Sequence, residues 1–150
     1  MRIVVQRVKK AAVHIDGTTH AQIGQGLLIL AGFEEADSKE DLEWMVRKVI
    51  NLRVFDDQQG VMNLSILQAE GELLVVSQFT LHASTRKGNR PSYVKAAGPQ
   101  TAVPLYETFC SLLQEHIRTP VRTGVFGAEM DVELINDGPV TIIIDSKLRE

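Results

Sequence analysis

Residues 26–33 read GLLILAGF, an unbroken apolar run of strand length opened by a glycine. Alternation is what leaves one face of a strand in water. A run without it suits a β-strand covered on both faces. The flanking sequence can supply the cover. Ahead of it, Met1–Val8 is apolar and rich in β-formers, and Ala12–Ile15 and Thr18–Ile23 flank Asp16-Gly17, a two-residue hairpin turn. Behind it, Ser38 is placed to cap a helix, with Asp41 three residues on as an acidic form of the capping box. Leu42, Met45, Val46, Val49 and Ile50 recur at helical spacing and read as a core face rather than a binding face. Asp56–Gly60 is a polar turn, and Leu73–Val76 opens a strand that continues into SQFTLH. A second helix is predicted over Thr101–Ile117, with Leu105, Phe109, Leu112, Leu113 and Ile117 as its stripe. Pro104 is tolerated near its start, and Thr119-Pro120 ends it. Met130–Ile135 alternates, and Val140–Ile144 is the last strand. The expected fold is α+β: one β-rich domain over residues 1–150, a mostly antiparallel or mixed, barrel-like sheet with two main helices.

Composition narrows the function classes. A chain of 150 residues, 44% hydrophobic and 23% charged, has the make-up of a globular domain with a proper core. No apolar run approaches a membrane span, and MRIVVQRVKK lacks the h-region and cleavage site of a signal peptide. The lone Cys110 cannot form an internal disulfide. A cytoplasmic protein is expected. No Cys/His spacing resembles a zinc site, and there is no Walker loop, GxGxxG or spaced carboxylate pair, so neither metal nor cofactor is expected. The net charge of −3 argues against wholesale coating of nucleic acid but leaves room for a local basic patch.

Four stretches could carry chemistry. In Ser77–His82, polar residues interrupt an apolar strand. Continued as a strand, it would put Gln78, Thr80 and His82 on one side and Ser77, Phe79 and Leu81 on the other. Thr80 and His82 invite a nucleophile–base reading, although no third group to orient the histidine is visible. The plain alternative is a strand with one solvated face. In Ser84–Tyr93, Arg86, Lys87 and Arg90 crowd a Gly/Asn/Pro loop that could hold phosphates or simply be solvated. In Gly124–Met130, GVFGAEM, two glycines allow close backbone approach or a bulge. Leu134–Ile142, LINDGPVTI, reads as the joint of a hairpin, with Asn-Asp-Gly as turn and Pro139 opening the last strand. A trans bond is the default there.

Together these residues resemble a known family. Ser77-Gln78-Phe79-Thr80-Leu81 matches the SQFTL motif of the D-aminoacyl-tRNA deacylases, and Asn136 to Thr141 matches their NxGPxT motif. The opening MRIVVQRV, the GVFGAEM segment and the length of 150 residues are similar too. The resemblance covers the whole chain and is closest to the bacterial form.

It implies a homodimer that hydrolyses the ester of a D-amino acid on the tRNA 3′ end, with the active site at the subunit interface and neither DNA nor membrane as partner. It implies a cis bond between Gly138 and Pro139. That dipeptide would enter the partner's active site, where backbone carbonyls meet the substrate amine and fill the space of an L side chain. Ser77, Gln78, Phe79 and Thr80 would form the floor near the ester, with Phe126, Met130, Asn136 and Thr141 as substrate contacts. Arg86, Lys87 and Arg90 are inferred to guide tRNA phosphates. Of two mechanisms, attack by Thr80 lacks a base. Positioning, backbone oxyanion donors and the neighbouring ribose hydroxyl are favoured. A filter of this kind would also pass glycine. The rivals are a non-catalytic binder of the tRNA acceptor end and a Thr- or Ser-dependent esterase for small molecules.

Overall fold

A computed structural model describes residues 1–149. The chain runs β1 (Arg2–Ile15), β2 (Thr18–Ile23), β3 (Gly26–Gly32), α1 (Lys39–Asn51), β4 (Phe55–Asp56), β5 (Met62–Leu64), β6 (Glu72–Ser77), a short 3-10 turn (Phe79–His82), α2 (Pro99–His116), β7 (Arg122–Thr123) and β8 (Asp131–Asp145). β1 and β2 form the predicted hairpin, with Asp16 at φ 51° and Gly17 at φ 74°, the left-handed pair that such a turn requires. α1 begins at Ser38, whose side chain accepts from the Asp41 N–H while Asp41 reaches back to the Ser38 N–H. α2 begins two residues earlier than predicted, at Pro99, which leaves Pro104 inside the helix.

β3 lies between β1, antiparallel to it, and β6, parallel to it. The parallel pairs β3–β6 and β6–β7 follow from the long crossovers that carry α1 and α2. β2 and β8 extend the sheet around β1, giving a nearly closed, barrel-like mixed sheet with two helices. Its two faces have separate cores. Leu27, Ile29, Leu73 and Val75 pack with Leu42, Met45, Phe109 and Leu113 of the helices. Leu28, Leu74 and Val76 pack inside the barrel with Val8, Ala11, Val13 and Ile23. The GLLILAGF strand is therefore covered on both faces, as its sequence predicts. Each such fully buried aliphatic side chain contributes about 1.5–3 kcal/mol.

Two expectations are corrected. SQFTLH does not continue the strand. β6 stops at Ser77, opposite Ala31, one residue before its neighbour β3 ends, and the chain coils into the 3-10 turn. LINDGPVTI does not turn back either. Its two halves pair with β1, not with each other. Between Val8↔Asn136 and Gln6↔Thr141, four residues of β8 stand against the single Arg7 of β1, so the motif is a wide bulge in one long strand. Among the described residues, no helix is long and apolar enough to cross a membrane.

Candidate active site

A pocket of about 280 Å³ opens at the C-terminal ends of β3 and β6. Ser77, Gln78 and Phe79 line it together with Phe126 and Met130, so two of the four sequence stretches meet there. Ala31, Gly32 and Phe33 at the β3 end, and Ala97 and Ala102 near the start of α2, are also among its lining. No pattern in the sequence marks these small residues as site-lining. α2 is held against the pocket from outside itself: its first residues are capped by Glu35, which accepts from the Gly98 N–H (2.9 Å) and the Thr101 hydroxyl (2.7 Å). Those two hydrogen bonds, Thr101 first, hold the Glu35 carboxyl below its ordinary value.

The 3-10 turn changes what SQFT can do. Its first bond runs from the Leu81 N–H to the Gln78 carbonyl (3.3 Å), so the Phe79 and Thr80 N–H groups precede it and have no partner within it. In a continued strand they would point to opposite edges, toward the neighbouring strands. Thr80 itself lies just beyond the pocket lining, and its hydroxyl accepts a hydrogen bond from the Gln78 side-chain amide. His82 turns away into the interior, 3% exposed, with Nδ1 3.3 Å from Glu34 Oε1. The Thr80–His82 pairing suggested by a strand is not formed. The orienting carboxylate that the sequence does not reveal is Glu34, but it serves a histidine facing elsewhere. Burial pushes the Cys110 thiol up to about 12, and Cys110 does not line the pocket.

Asn136, Asp137, Gly138, Pro139 and Thr141 lie outside this pocket of their own chain, and Gly138 and Pro139 are exposed. The Gly138–Pro139 peptide is cis. Asn136 closes the bulge that presents it. Its Oδ1 accepts the Val140 N–H (2.9 Å), and its Nδ2 donates to the Val140 carbonyl (3.1 Å) and to Thr141 Oγ1 (3.3 Å). Arg7, 6% exposed, braces the bulge from beneath, with Nε donating to the Asp137 carbonyl (3.1 Å) and Nη1 lying 3.1 Å from Asp56 Oδ1. The sequence does not single out Arg7, which is one of four Lys and Arg residues in β1; its burial does.

Arg86, Lys87 and Arg90 sit exposed on a loop pinched at its base by reciprocal Ser84–Ser92 backbone bonds of 2.8 and 2.9 Å. The Phe79 and Tyr93 rings meet edge to face at 5.1 Å and join that loop to the pocket wall. Among the described residues, no cluster of His, Cys, Asp and Glu could hold a metal ion.

The family model for D-Tyr-tRNA(Tyr) deacylase matches residues 4–145. D-aminoacyl-tRNA deacylases of Bacteroides thetaiotaomicron and Parabacteroides distasonis are 60% and 58% identical over the full length of both chains. A solved structure titled c-Myc DNA Unwinding Element Binding Protein superposes with a TM-score of 0.92 at 41% identity, covering 97% of this chain and 98% of that one. A probable eukaryotic D-amino acid tRNA deacylase, 17% identical, shares the fold with a TM-score of 0.79 over 95% of this chain and 97% of its own. With its sheet, its pocket and both signature motifs in place, the chain belongs to the D-Tyr-tRNA(Tyr) deacylase family.

Proposed function

We propose that this chain hydrolyses the ester between a D-amino acid and the 3′ end of its tRNA, releasing both, as a homodimer with the active site at the subunit interface. The observation that carries this reading is the pocket, where Phe79 shares a wall with Phe126 and Met130 and its N–H, like that of the adjoining Thr80, has no backbone partner among the described residues. An oxyanion developing at the ester carbonyl needs preorganised donors of that type. The aminoacyl ester is already activated, so positioning, these donors and the neighbouring ribose hydroxyl suffice to bring in water. Thr80 is not needed as a nucleophile, in keeping with its hydroxyl accepting from Gln78 rather than facing a base. Ser77 and Gln78 shape the floor, and Phe126 and Met130 take the terminal adenosine.

Chiral selection falls to Gly138-Pro139 of the partner subunit's chain. The motif is exposed, lies outside its own pocket and is held outward by Asn136, Thr141 and Arg7. Its carbonyls accept from the substrate amine and occupy the space an L side chain would need. Glycyl-tRNA passes such a filter, and the identity of the D side chain matters little. Arg86, Lys87 and Arg90 hold acceptor-stem phosphates, so binding weakens with salt. The setting is the cytoplasm.

One observation favours a second reading: the relative at 41% identity is titled as a DNA-element-binding protein, which fits a nucleic-acid binder without turnover. The test is to incubate the protein with one tRNA charged with D- or with L-tyrosine and follow release. Loss of the D ester with the L ester spared supports the enzyme and its filter. Loss of both keeps the hydrolase and discards the filter. Binding without release hands the case to the binder.

A further inference from the structure

His82 closes the 3-10 turn, yet its ring is buried beneath it, 3% exposed. Nδ1 lies 3.3 Å from Glu34 Oε1, while Nε2 has no hydrogen-bond partner among the described residues. A buried polar atom left unpaired opposes folding, so an apolar side chain of like size would suit the interior better. The position of the ring shows what the histidine adds. A Cβ on Gly32 would fall 2.8 Å from the Gln78 carbonyl oxygen, 3.0 Å from His82 Cδ2 and 3.2 Å from His82 Nε2. Ring and carbonyl thus rest side by side on the bare Cα of Gly32. The carbonyl also accepts from the Leu81 N–H at a long 3.3 Å, so the ring packed beside it and that bond hold it together.

That carbonyl belongs to the same rigid plane as the Phe79 N–H and, across a trans peptide, points the opposite way. Holding the Gln78 oxygen inward against Gly32 and His82 therefore holds the Phe79 N–H outward. Glu34 completes the arrangement. It follows the pocket-lining Phe33 just past the end of β3, and its Oε1 stands 3.3 Å from Nδ1 on the side of the ring away from Gly32 Cα.

We propose that His82, oriented by Glu34, is a positioning residue for the reaction: its ring sets the Gln78–Phe79 peptide and with it the aim of the Phe79 N–H donor. The proposal rests on the reading of that N–H as an oxyanion donor. It assigns no proton transfer to His82. The benefit lies in the transition state, so it belongs to kcat and not to KM.

The test is single-turnover and steady-state deacylation of D-tyrosyl-tRNA by the full-length protein and four variants, with thermal unfolding alongside. His82→Leu and Glu34→Ala should each lower kcat by about tenfold, with KM within about twofold, because a donor is misaimed rather than removed. Glu34 is partly exposed, so its variant folds even if His82→Leu does not. His82→Asn places an amide N–H where Nδ1 stands and should recover most of the turnover. His82→Gln places its amide toward the Nε2 side and should not. Together these results would establish the positioning role. Unchanged kcat in Glu34→Ala, or equal turnover in the Asn and Gln variants, would overturn it while the deacylase reading stands. A wild-type protein that releases no D-tyrosine would overturn both.

Discussion

Two motifs of this chain behave in opposite ways. SQFTL looks like more strand, yet it leaves the sheet. NDGPVT looks like a turn, yet it stays in it. The difference lies in what runs alongside. β6 depends on its neighbours for a ladder. β3 ends at Gly32, and β7 offers only the pairs Leu74↔Arg122 and Val75↔Thr123. Past Ser77 the ladder ends with one bond from the Gln78 N–H to the Ala31 carbonyl (2.7 Å), and the chain coils into a 3-10 turn that leaves the Phe79 and Thr80 N–H groups without a partner inside it. β8 meets the reverse case. β1 runs for 14 residues, with an edge free for β8 from Arg2 to His14. After the bulge the cheapest course for the chain is to resume the same ladder. Each motif becomes a backbone-presenting device, one by losing its partner and the other by keeping it.

The sharpest way to break the first half of the comparison is Gly32→Ala. The added methyl meets the Gln78 carbonyl at 2.8 Å and the His82 ring at 3.0 Å, so the turn must move while β8 is untouched. Turnover of D-tyrosyl-tRNA should fall by about 100-fold, as for a displaced donor. A fully active Gly32→Ala would show that the turn's placement does not matter.

Arg7→Met addresses the second half. It removes the support under the bulge and leaves the Val54 and Asp137 carbonyls short of a donor. Urea unfolding should show a loss of about 2 kcal/mol. The ratio of D to L release should fall more than the D rate itself. An unchanged ratio would separate the bulge from selection.

A smaller effect is expected where β8 ends. Lys147, just beyond it, bonds Asp41 at 2.6 Å. Burial works against ionised Asp41, but bonds from Lys147, the Ser38 N–H and hydroxyl, and Ser146 outweigh it and hold its carboxyl well below the usual range. A depressed carboxylate stabilises the fold fully above its unfolded value, about pH 4, and loses that contribution as pH falls toward its folded value. Lys147→Met should therefore cost about 1 kcal/mol at pH 7, reduced by the lysine's partial exposure, and progressively less below about pH 4. Urea midpoints measured across pH check this.

Thr80→Ala should change least. With its hydroxyl engaged by Gln78, turnover should stay within about tenfold of wild type, whereas a lost nucleophile costs roughly 10⁴-fold or more. A covalent acyl group trapped on Thr80 would reverse that assignment.

Local physics was readable from the residues. The Asp16-Gly17 hairpin, the Ser38/Asp41 capping box, the stripe of α1 and the doubly covered β3 all formed where their patterns placed them. Each depends on neighbours within a few positions, or on burial that the apolar pattern itself demands. The motifs were legible as motifs, and Phe126 and Met130 do join Ser77–Phe79 in one pocket. Their conformations were not legible, because pairing decides them. Ser77 lies 46 residues from its partner Ala31, and Asn136 lies 128 residues from Val8. Glu34 under His82 and Arg7 under Asp137 were likewise invisible as pairs. The sequence by itself determined the central strand, the two helices and the presence of the motifs, through periodicity and caps. Only the tertiary structure decided where a strand stops and which backbone groups stand unpaired, because a hydrogen-bond ladder exists only where another strand runs beside it.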